Sequence, residues 1–204
     1  KGLIKSGGLM KTALAGGAMA AGAGLLYAAT QAAEFDKSMR NINSLAGLSE
    51  PALKSLGDSL ISMSTRLPQT ASVLAEGFYE ITSSGFAGAD AMKVLEASAL
   101  SASAGLTTTE VAASAIAAVL NAYGRSANDA ADISDVLFQT VNAGVISFED
   151  LAGGLGDVVG TTAAAKVGID QVGSAIATMT LAGIGGAEAT TSLNALMGKL
   201  IQPS

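Results

Sequence analysis

The residue types that most enzymes use for catalysis are scarce in this chain. Its 204 residues include no histidine and no cysteine, so Cys–His and Ser–His nucleophile–base pairs, and zinc sites built from these ligands, are excluded. Two carboxylate pairs remain, Asp132 with Asp135 and Glu149 with Asp150, and glycoside hydrolysis uses two carboxylates that face each other across a cleft. All four fall in the first turn of a predicted helix or on its solvent face, where acidic residues are common. We therefore expect no catalytic residues and no enzymatic activity.

Two other patterns resemble ligand sites only in part. Gly154, Gly156 and Gly160 approach the spacing of a dinucleotide-binding loop, but they follow a helical pattern rather than a strand and span one residue too many. Small-residue packing between helices explains these glycines better. The aspartates of the run 129–135 recur every three residues and lack the alternating ligands and central glycine of an EF-hand calcium loop. The sequence therefore predicts no cofactor and no metal site.

Composition and charge limit the partners that the chain can have. Half of the residues are hydrophobic but only 4% are aromatic, and the mean hydropathy is +0.47. This balance predicts helices that pack closely through alanine and glycine, and a surface suited to a partner, a lumen or a membrane. The net charge is −6, with Lys1, Lys5 and Lys11 as the sole charges before Glu34, so we expect no specific nucleic-acid binding. Because the first residue is lysine, we expect a fragment of a longer polypeptide.

Residues 1–33 form a first predicted segment, a basic lead followed by an apolar helix. Thr12–Ala33 carries no charge and is long enough to span a bilayer. Its small residues recur every four positions, as on close-packed helix faces in membranes, but alanine and glycine make it only weakly apolar. Membrane insertion and packing against protein helices therefore both stay open. The candidate residues of this segment are Leu14, Gly16, Ala20, Gly24, Leu25 and Leu26.

The stretch from Leu67 to Ala102 predicts two helices joined by a glycine corner. Thr70 is placed to cap the first helix, whose apolar residues follow at spacings of three and four. Gly85 stops this helix, since glycine readily adopts the left-handed backbone found at helix C-termini. The second helix starts near Gly88, which makes the whole stretch a helical hairpin.

The same corner recurs twice along the chain. At an offset of 98 residues Gly183–Ala189 repeats the pattern of Gly85–Ala91, and at an offset of 39 residues Gly124 takes the place of Gly85. Such repetition predicts a structure built from helical hairpins, and convergent composition in a chain rich in alanine, glycine and serine is the alternative. The predicted corner residues are Gly85, Phe86, Gly88, Gly124, Gly183, Ile184 and Gly186.

Helical patterns with start and stop signals cover the remainder of the chain, and no stretch alternates as a strand would. We therefore predict an all-α fold of eight or nine helices, with repeated hairpins in residues 34–204 preceded by the long Ala/Gly-rich apolar helix. Three local expectations are more specific. Thr107 and Glu110 should form a capping box, Asp170 should cap a helix, and the glycine-rich stretch Gly153–Ala165 should form an irregular helix.

Three segments, taken in order, resemble a known family. They are LPQTASVLAEGFYEITSSGF from Leu67, LNAYGRSANDAADISDVL from Leu120 and GIDQVGSAIATMTLAGIGGAEATTSLNALM from Gly168. Together they are similar to the TP901-type core region of phage tail tape measure proteins, and the similarity covers Phe35–Pro203. The motifs are compositional rather than catalytic, so their order along the chain carries the resemblance.

The resemblance implies a structural protein of the phage virion. Such a protein would be assembled in the host cytoplasm, lie in the interior of the tail tube, set tail length and leave ahead of the DNA. It would contact tail tube proteins, tail tip or baseplate proteins and tail assembly chaperones, self-associate into a helical bundle, and meet the host membrane on ejection. Two alternatives stay open: the tape measure of a phage-tail-like contractile particle or prophage, and a membrane-active, channel-forming helical protein.

Overall fold

Helices joined by short connections account for almost all of the structure. A computed structural model describes residues 29–105 and 107–201, and these residues form nine α-helices, one 3₁₀ turn and no strand. The predicted all-α fold of eight or nine helices is confirmed. The helices are α1 (29–46 of the described residues), α2 (Glu50–Ser64), α3 (Ala71–Ser83), α4 (Gly88–Gly105), α5 (Thr109–Ala122), α6 (Ala130–Ala143), α7 (Phe148–Ala164), α8 (Ile169–Leu181) and α9 (Gly186–Ile201), with the 3₁₀ turn at Ala127–Asp129.

The helices from α3 onwards pack in two rows, because each contacts the helix two places along the chain. α3, α5, α7 and α9 form one row, and α4, α6 and α8 form the other. The buried side chains make one apolar cluster, and each large one contributes roughly 1.5–3 kcal/mol to folding. The largest fully buried side chains are Phe148, Ile42, Leu60, Leu74, Ile81, Leu95, Ile116, Leu120, Ile133, Leu137, Leu151 and Leu155.

α1 and α2 form the first hairpin and extend the same core. Gly57 of α2 lies against Phe35 and Met39 of α1, and the Ser72 hydroxyl of α3 donates to the Gln31 side-chain oxygen at 3.0 Å. α1 runs through the predicted boundary between residues 33 and 34 without a break. The division of the chain at that point stays a prediction.

A shift of 98 residues superimposes the limits of the later helices on those of the earlier ones. Under this shift α3 (Ala71–Ser83) coincides with α8 (Ile169–Leu181), and α4 and α9 begin at Gly88 and Gly186. α2 and α7 also begin 98 residues apart, each after a serine cap. The repeat that the sequence shows at its corners therefore extends beyond the corners into the helices, with α5 and α6 between the two halves.

The expected capping box of Thr107 and Glu110 is wrong by one residue. Thr108 caps α5, and its hydroxyl oxygen accepts a hydrogen bond from the Val111 N–H at 3.2 Å. The two threonines are equivalent as local signals, and packing decides between them. Thr109 is buried against a glycine of α3, and this contact sets where α5 begins.

The expected cap at Asp170 is also wrong. α8 begins at Ile169, with Gly168 at the N-cap, and the Gly168 N–H donates to the Gln171 side-chain oxygen at 3.1 Å. Asp170 lies in the first turn of the helix instead. Ile169 is almost fully buried, so starting the helix one residue before Asp170 places an apolar side chain in the core.

The expectation of an irregular helix over Gly153–Ala165 is wrong as well. α7 is one continuous α-helix, capped by Ser147, whose hydroxyl oxygen accepts the Asp150 N–H at 3.1 Å. Gly154 allows Thr190 of α9 to approach closer than a Cβ would permit. Close packing of this kind offsets the low helix propensity of glycine, about 1 kcal/mol per residue.

Candidate functional site: helical corners and helix surfaces

The corner after α3 closes with a Schellman motif, the pair of backbone bonds that ends many helices. Gly85 has a φ of +96°, and its N–H donates to the Thr82 carbonyl at 3.0 Å. The Phe86 N–H donates to the Ile81 carbonyl at 3.2 Å. These bonds satisfy carbonyls that the helix end would otherwise leave unpaired. The Phe86 ring packs against the core, which fixes the direction in which the chain leaves α3.

The corner after α8 repeats this arrangement bond for bond. Gly183 has a φ of +91°, its N–H donates to the Thr180 carbonyl at 3.0 Å, and the Ile184 N–H donates to the Met179 carbonyl at 3.1 Å. Ile184 is partly buried against the core, in the place that an aromatic ring holds in the first half. The two corners are therefore one structural element used twice.

The two glycines that begin the following helices have different roles. Gly88 has a φ of +57° and open space around it, so its backbone conformation favours glycine. At Gly186 an added Cβ would lie 2.6 Å from Cδ1 of Ile146, so packing requires glycine there. The sequence pattern identifies both positions but does not distinguish the two reasons.

Two further corners have the same backbone bonds. The predicted corner at Gly124 has a φ of +60°, and an unpredicted one lies at Lys166, with a φ of +59°. The Val167 N–H donates to the Thr162 carbonyl at 3.0 Å, which completes the motif without glycine. Lys166 escapes a search for glycine corners, and the signal that could have found it is the apolar Val167, which follows it as Phe86 follows the first corner.

Two concave surfaces lie near the α3–α4 hairpin. An apolar groove of about 500 Å³ beside its corner is lined in part by Leu45, Phe86 and Met92. A more polar cleft of about 550 Å³ lies between α3 and the start of α5. Within it the side-chain oxygens of Gln69 and Thr109 are buried without a hydrogen-bond partner among the described residues. Buried oxygens of this kind usually bind ordered water.

Acidic side chains cluster on the surface between α3 and α5. Glu76, Glu80 and Glu110 line a shallow cavity of about 360 Å³. Burial raises the pKa of Glu80 above its ordinary value, and the nearby Glu110 carboxylate raises it further. Among residues 29–105 and 107–201, no three acidic, His or Cys side chains are arranged to hold a metal ion. The cluster therefore weakens the ionisation of Glu80.

The carboxylate pairs singled out in the sequence are all solvent-exposed. Asp132 and Asp135 lie on the outer face of α6, and Glu149 and Asp150 lie in the first turn of α7. Asp150 accepts a hydrogen bond from the Ser147 hydroxyl at 2.8 Å, as expected for a residue that stabilises a helix start.

Tyr123 ties the end of α5 to the corner after α7. Its hydroxyl donates to the Val167 carbonyl at 3.0 Å and lies 3.0 Å from the Thr162 hydroxyl oxygen. Burial raises the pKa of Tyr123 above its ordinary value, the hydrogen bond with Thr162 and the Arg125 charge lower it, and Asp170 raises it. The net shift is upward, so the phenol keeps the proton that the Val167 bond needs.

The predicted membrane or helix-packing residues lie outside the described residues. They are Leu14, Gly16, Ala20, Gly24, Leu25 and Leu26. Within the part of the chain that the structure describes, no helix combines the length and the apolarity needed to cross a membrane. The role of Thr12–Ala33 therefore stays a prediction.

Comparison with known proteins decides the family. The family model described as phage-related minor tail protein matches residues 57–204, from within α2 to the end of the chain. The chain belongs to this family. The resemblance to phage tail tape measure proteins, which rested on the corner segments, is thereby confirmed, and the family is a structural one.

Two curated relatives carry the tape measure name. This member of the family is 32% identical over 194 residues to the probable tape measure protein of Clostridium phage phiCD119, a match that covers 93% of this chain and 21% of the relative. It is 25% identical over 177 residues to the tape measure protein of Pneumococcus phage Dp-1, covering 84% of this chain and 15% of the relative. The chain thus spans about a fifth or less of the length of these relatives. No solved structure matches it.

These matches establish the general role and the location of this tail protein. It is a structural protein of the phage tail, and it is located in the virion tail.

Proposed function

We propose that the protein is a tape measure, which sets the length of the tail tube during assembly in the host cytoplasm, lies inside the tube and leaves ahead of the DNA. The observation that supports this most is the match to the Clostridium phage tape measure protein across 93% of the chain. The helical fold is consistent with it, since an α-helix converts residue number into length at about 1.5 Å per residue. The tape measure of a contractile tail-like particle or prophage would work in the same way.

We further propose that residues 34–204 stay folded in the particle instead of being drawn out into single helices. The corners are closed by backbone bonds and the helices share one buried cluster, and such agreement between local and tertiary structure favours the compact state. The two states differ greatly in length. The hairpin Thr70–Gly105 would span about 54 Å as one helix, whereas a hairpin stacked in the rows adds about 10 Å.

Deletion of Thr70–Gly105 from the full protein tests this proposal. If the region is folded, tails measured by electron microscopy keep their length or fail to assemble. If it is drawn out, tails shorten by about 54 Å. Deletion of Gly168–Pro203, the equivalent hairpin of the second half, serves as the matched variant. Tails that shorten in proportion to the deleted residues in both variants would contradict the folded state.

A cysteine pair tests the same point when a deletion blocks assembly. An ideal Cβ at Gly77 would lie 3.6 Å from Cβ of Thr109, which is within the range for a disulfide, and the chain has no other cysteine. In purified particles carrying Gly77→Cys and Thr109→Cys, mild oxidation should form an intramolecular disulfide, visible as a shift on a non-reducing gel. A drawn-out chain would hold the two positions far apart and leave the thiols free.

The partners that we propose are tail tube proteins, tail tip or baseplate proteins, tail assembly chaperones and further copies of this protein in a helical bundle. We propose no specific nucleic-acid partner and no catalytic activity for this segment. Chemical cross-linking of intact particles, followed by mass spectrometry, should join its surface lysines, such as Lys54 and Lys93, to tube or tip proteins. Cross-links to none of these proteins would count against the location in the tube.

A second proposal concerns Thr12–Ala33, whose uncharged length suits insertion into the host membrane on ejection. Replacing Leu25 and Leu26 with aspartate should abolish genome delivery, because each charge at a helix centre costs roughly 2.5–3.5 kcal/mol on insertion scales. The variant with alanine at both positions adds no charge and is the control. Normal delivery by the aspartate variant would show that this segment does not insert.

A further inference from the structure

The equivalent helices α4 and α9 begin alike. Each carries an apolar stripe that faces the core, and its first two members are buried in both helices. Ala91 and Leu95 of α4 are both 0% exposed, and the equivalent Ala189 and Leu193 of α9 are 0% and 6% exposed. Up to this point the second half reproduces the burial of the first.

One turn later the two helices differ. Ser98 and Ala102 of α4 are 0% and 3% exposed, whereas the equivalent Leu196 and Leu200 of α9 are 53% and 65% exposed. The pair with the more apolar side chains is thus the exposed one, although contact with water favours exposure of the less apolar pair. Met197 and Ile201 extend this surface, which we call the α9 face (Leu196, Met197, Leu200 and Ile201).

In the first half, the next helix along the chain, α5, packs on α4. It follows α4 after a short connection, and it packs on both α4 and α3. α9 packs mainly on α7 and α8, and no helix among the described residues lies against it as α5 lies against α4. Among the described residues, the α9 face therefore lacks the covering that buries the equivalent surface of α4.

We infer that the α9 face is covered by a further α-helix of the same polypeptide, which follows residue 204 and lies on α9 as α5 lies on α4. A shift of 98 residues from Thr109–Ala122 puts this helix at about positions 207–220. The tape measure relatives are several times longer than the part matched here, which leaves room for it. The occupant is a helix because the equivalent element of the repeat, α5, is a helix that packs on α4.

The leucines specify the partner helix further. On α4 the equivalent Ser98 and Ala102 are small and buried, while Leu196 and Leu200 project farther from α9. The facing helix must therefore present small residues opposite the leucines, or lie farther from the α9 axis than α5 lies from α4. Either arrangement extends the two rows by another helix past α9.

Hydrogen exchange on the full protein tests the inference. The variant Leu196→Ser with Leu200→Ala gives α9 the residues that α4 has at the equivalent positions. The control is Leu181→Ser, because Leu181 is 65% exposed, as Leu200 is, and its equivalent Ser83 is also exposed. In the full protein, amides over 196–201 should exchange at least about tenfold more slowly than in a chain that ends at residue 204. The double variant should lose this protection and the control should keep it.

Three results would overturn the inference. They are equal exchange in the full and shorter chains, protection that survives in the double variant, and protection of the shorter chain that grows with protein concentration. The last result would identify a second copy of the chain as the partner. None of these results bears on tail length, so the inference and the proposed function can fail separately.

Discussion

The hairpins α3–α4 and α8–α9 share one backbone design in two different surroundings. Under the 98-residue shift α3 and α8 have the same limits, α4 and α9 begin at equivalent residues, and the corners at Gly85 and Gly183 make the same backbone hydrogen bonds. α4 is enclosed by α3, α5 and α6, whereas α9 contacts mainly α7 and α8. The comparison shows that a corner is a property of its local sequence, while burial along a helix depends on which helices lie beside it.

The largest expected effect concerns the equivalent leucines of the shared stripe. In the chain of residues 1–204, Leu95→Ala should cost about 3–4 kcal/mol and Leu193→Ala about 2 kcal/mol. Leu95 is fully enclosed, while Leu193 lies at the edge of the open α9 face, where the neighbours can close the cavity more easily. Urea denaturation with the slopes compared measures both values. Equal costs would show that α9 is as well enclosed as α4.

A second difference lies at a buried position that is alanine in α3 and glycine in α8. Gly173, the equivalent of Ala75, faces Thr140 of α6 so closely that a Cβ has no room. Gly173→Ala should therefore cost about 1–3 kcal/mol, and adding Thr140→Ala should recover most of that loss. Gly153→Ala, at a helical position with open space, should instead stabilise by about 1 kcal/mol. Thermal unfolding of the native protein, the two single glycine variants and the double variant decides whether close packing or helix propensity dominates at each glycine.

The corners should respond equally in the two halves. Gly85→Ala and Gly183→Ala should each cost about 1–2 kcal/mol, since both residues have a left-handed backbone and neither has a neighbour near the missing Cβ. Lys166→Gly should gain up to about 1 kcal/mol for the same reason. Chemical denaturation measures all three. A difference above about 0.5 kcal/mol between the two alanine variants would mean that the corners are not equivalent.

The smallest effect concerns a charge that the second half lacks. Glu80 of α3 corresponds to Thr178 of α8, and burial, followed by the nearby Glu110 carboxylate, raises the pKa of Glu80 above 4.5. A raised carboxyl pKa means that the folded state holds this proton more tightly. The contribution of Glu80 to the free energy of unfolding is therefore fully present below about pH 4.5 and is lost as the pH rises through the folded-state pKa.

Glu80→Gln removes this fall. Between pH 4 and pH 7, the difference in unfolding free energy between the variant and the native protein should move in favour of the variant by up to about 0.5 kcal/mol. Urea denaturation across this pH range gives the comparison. A difference that moves in favour of the native protein between pH 4 and pH 7 would reverse the sign and refute the argument.

Local signals predicted the positions at which the chain changes direction. Thr70 was expected to cap α3, and its hydroxyl oxygen accepts the Val73 N–H at 3.4 Å. Gly47 follows the last helical residue of α1 with a φ of +59°, as is common for glycine after a helix C-terminus. Lys166 was missed because a residue other than glycine rarely adopts this backbone, so a search based on glycine cannot find it. The starts of α5 and α8 were misplaced because burial of Thr109 and Ile169 sets the register.

The sequence by itself determined the all-α class, the hairpin repeat and the family. These features depend on capping residues, glycine corners and apolar spacing, which act within one or two turns of helix. Only the tertiary structure decided that the helices form two rows, that α7 is regular in spite of its glycines, and that the α4 stripe is buried to its end while that of α9 is open. These features depend on contacts between helices far apart in the chain, such as Gly154 with Thr190, and no local pattern records which distant side chain will lie opposite.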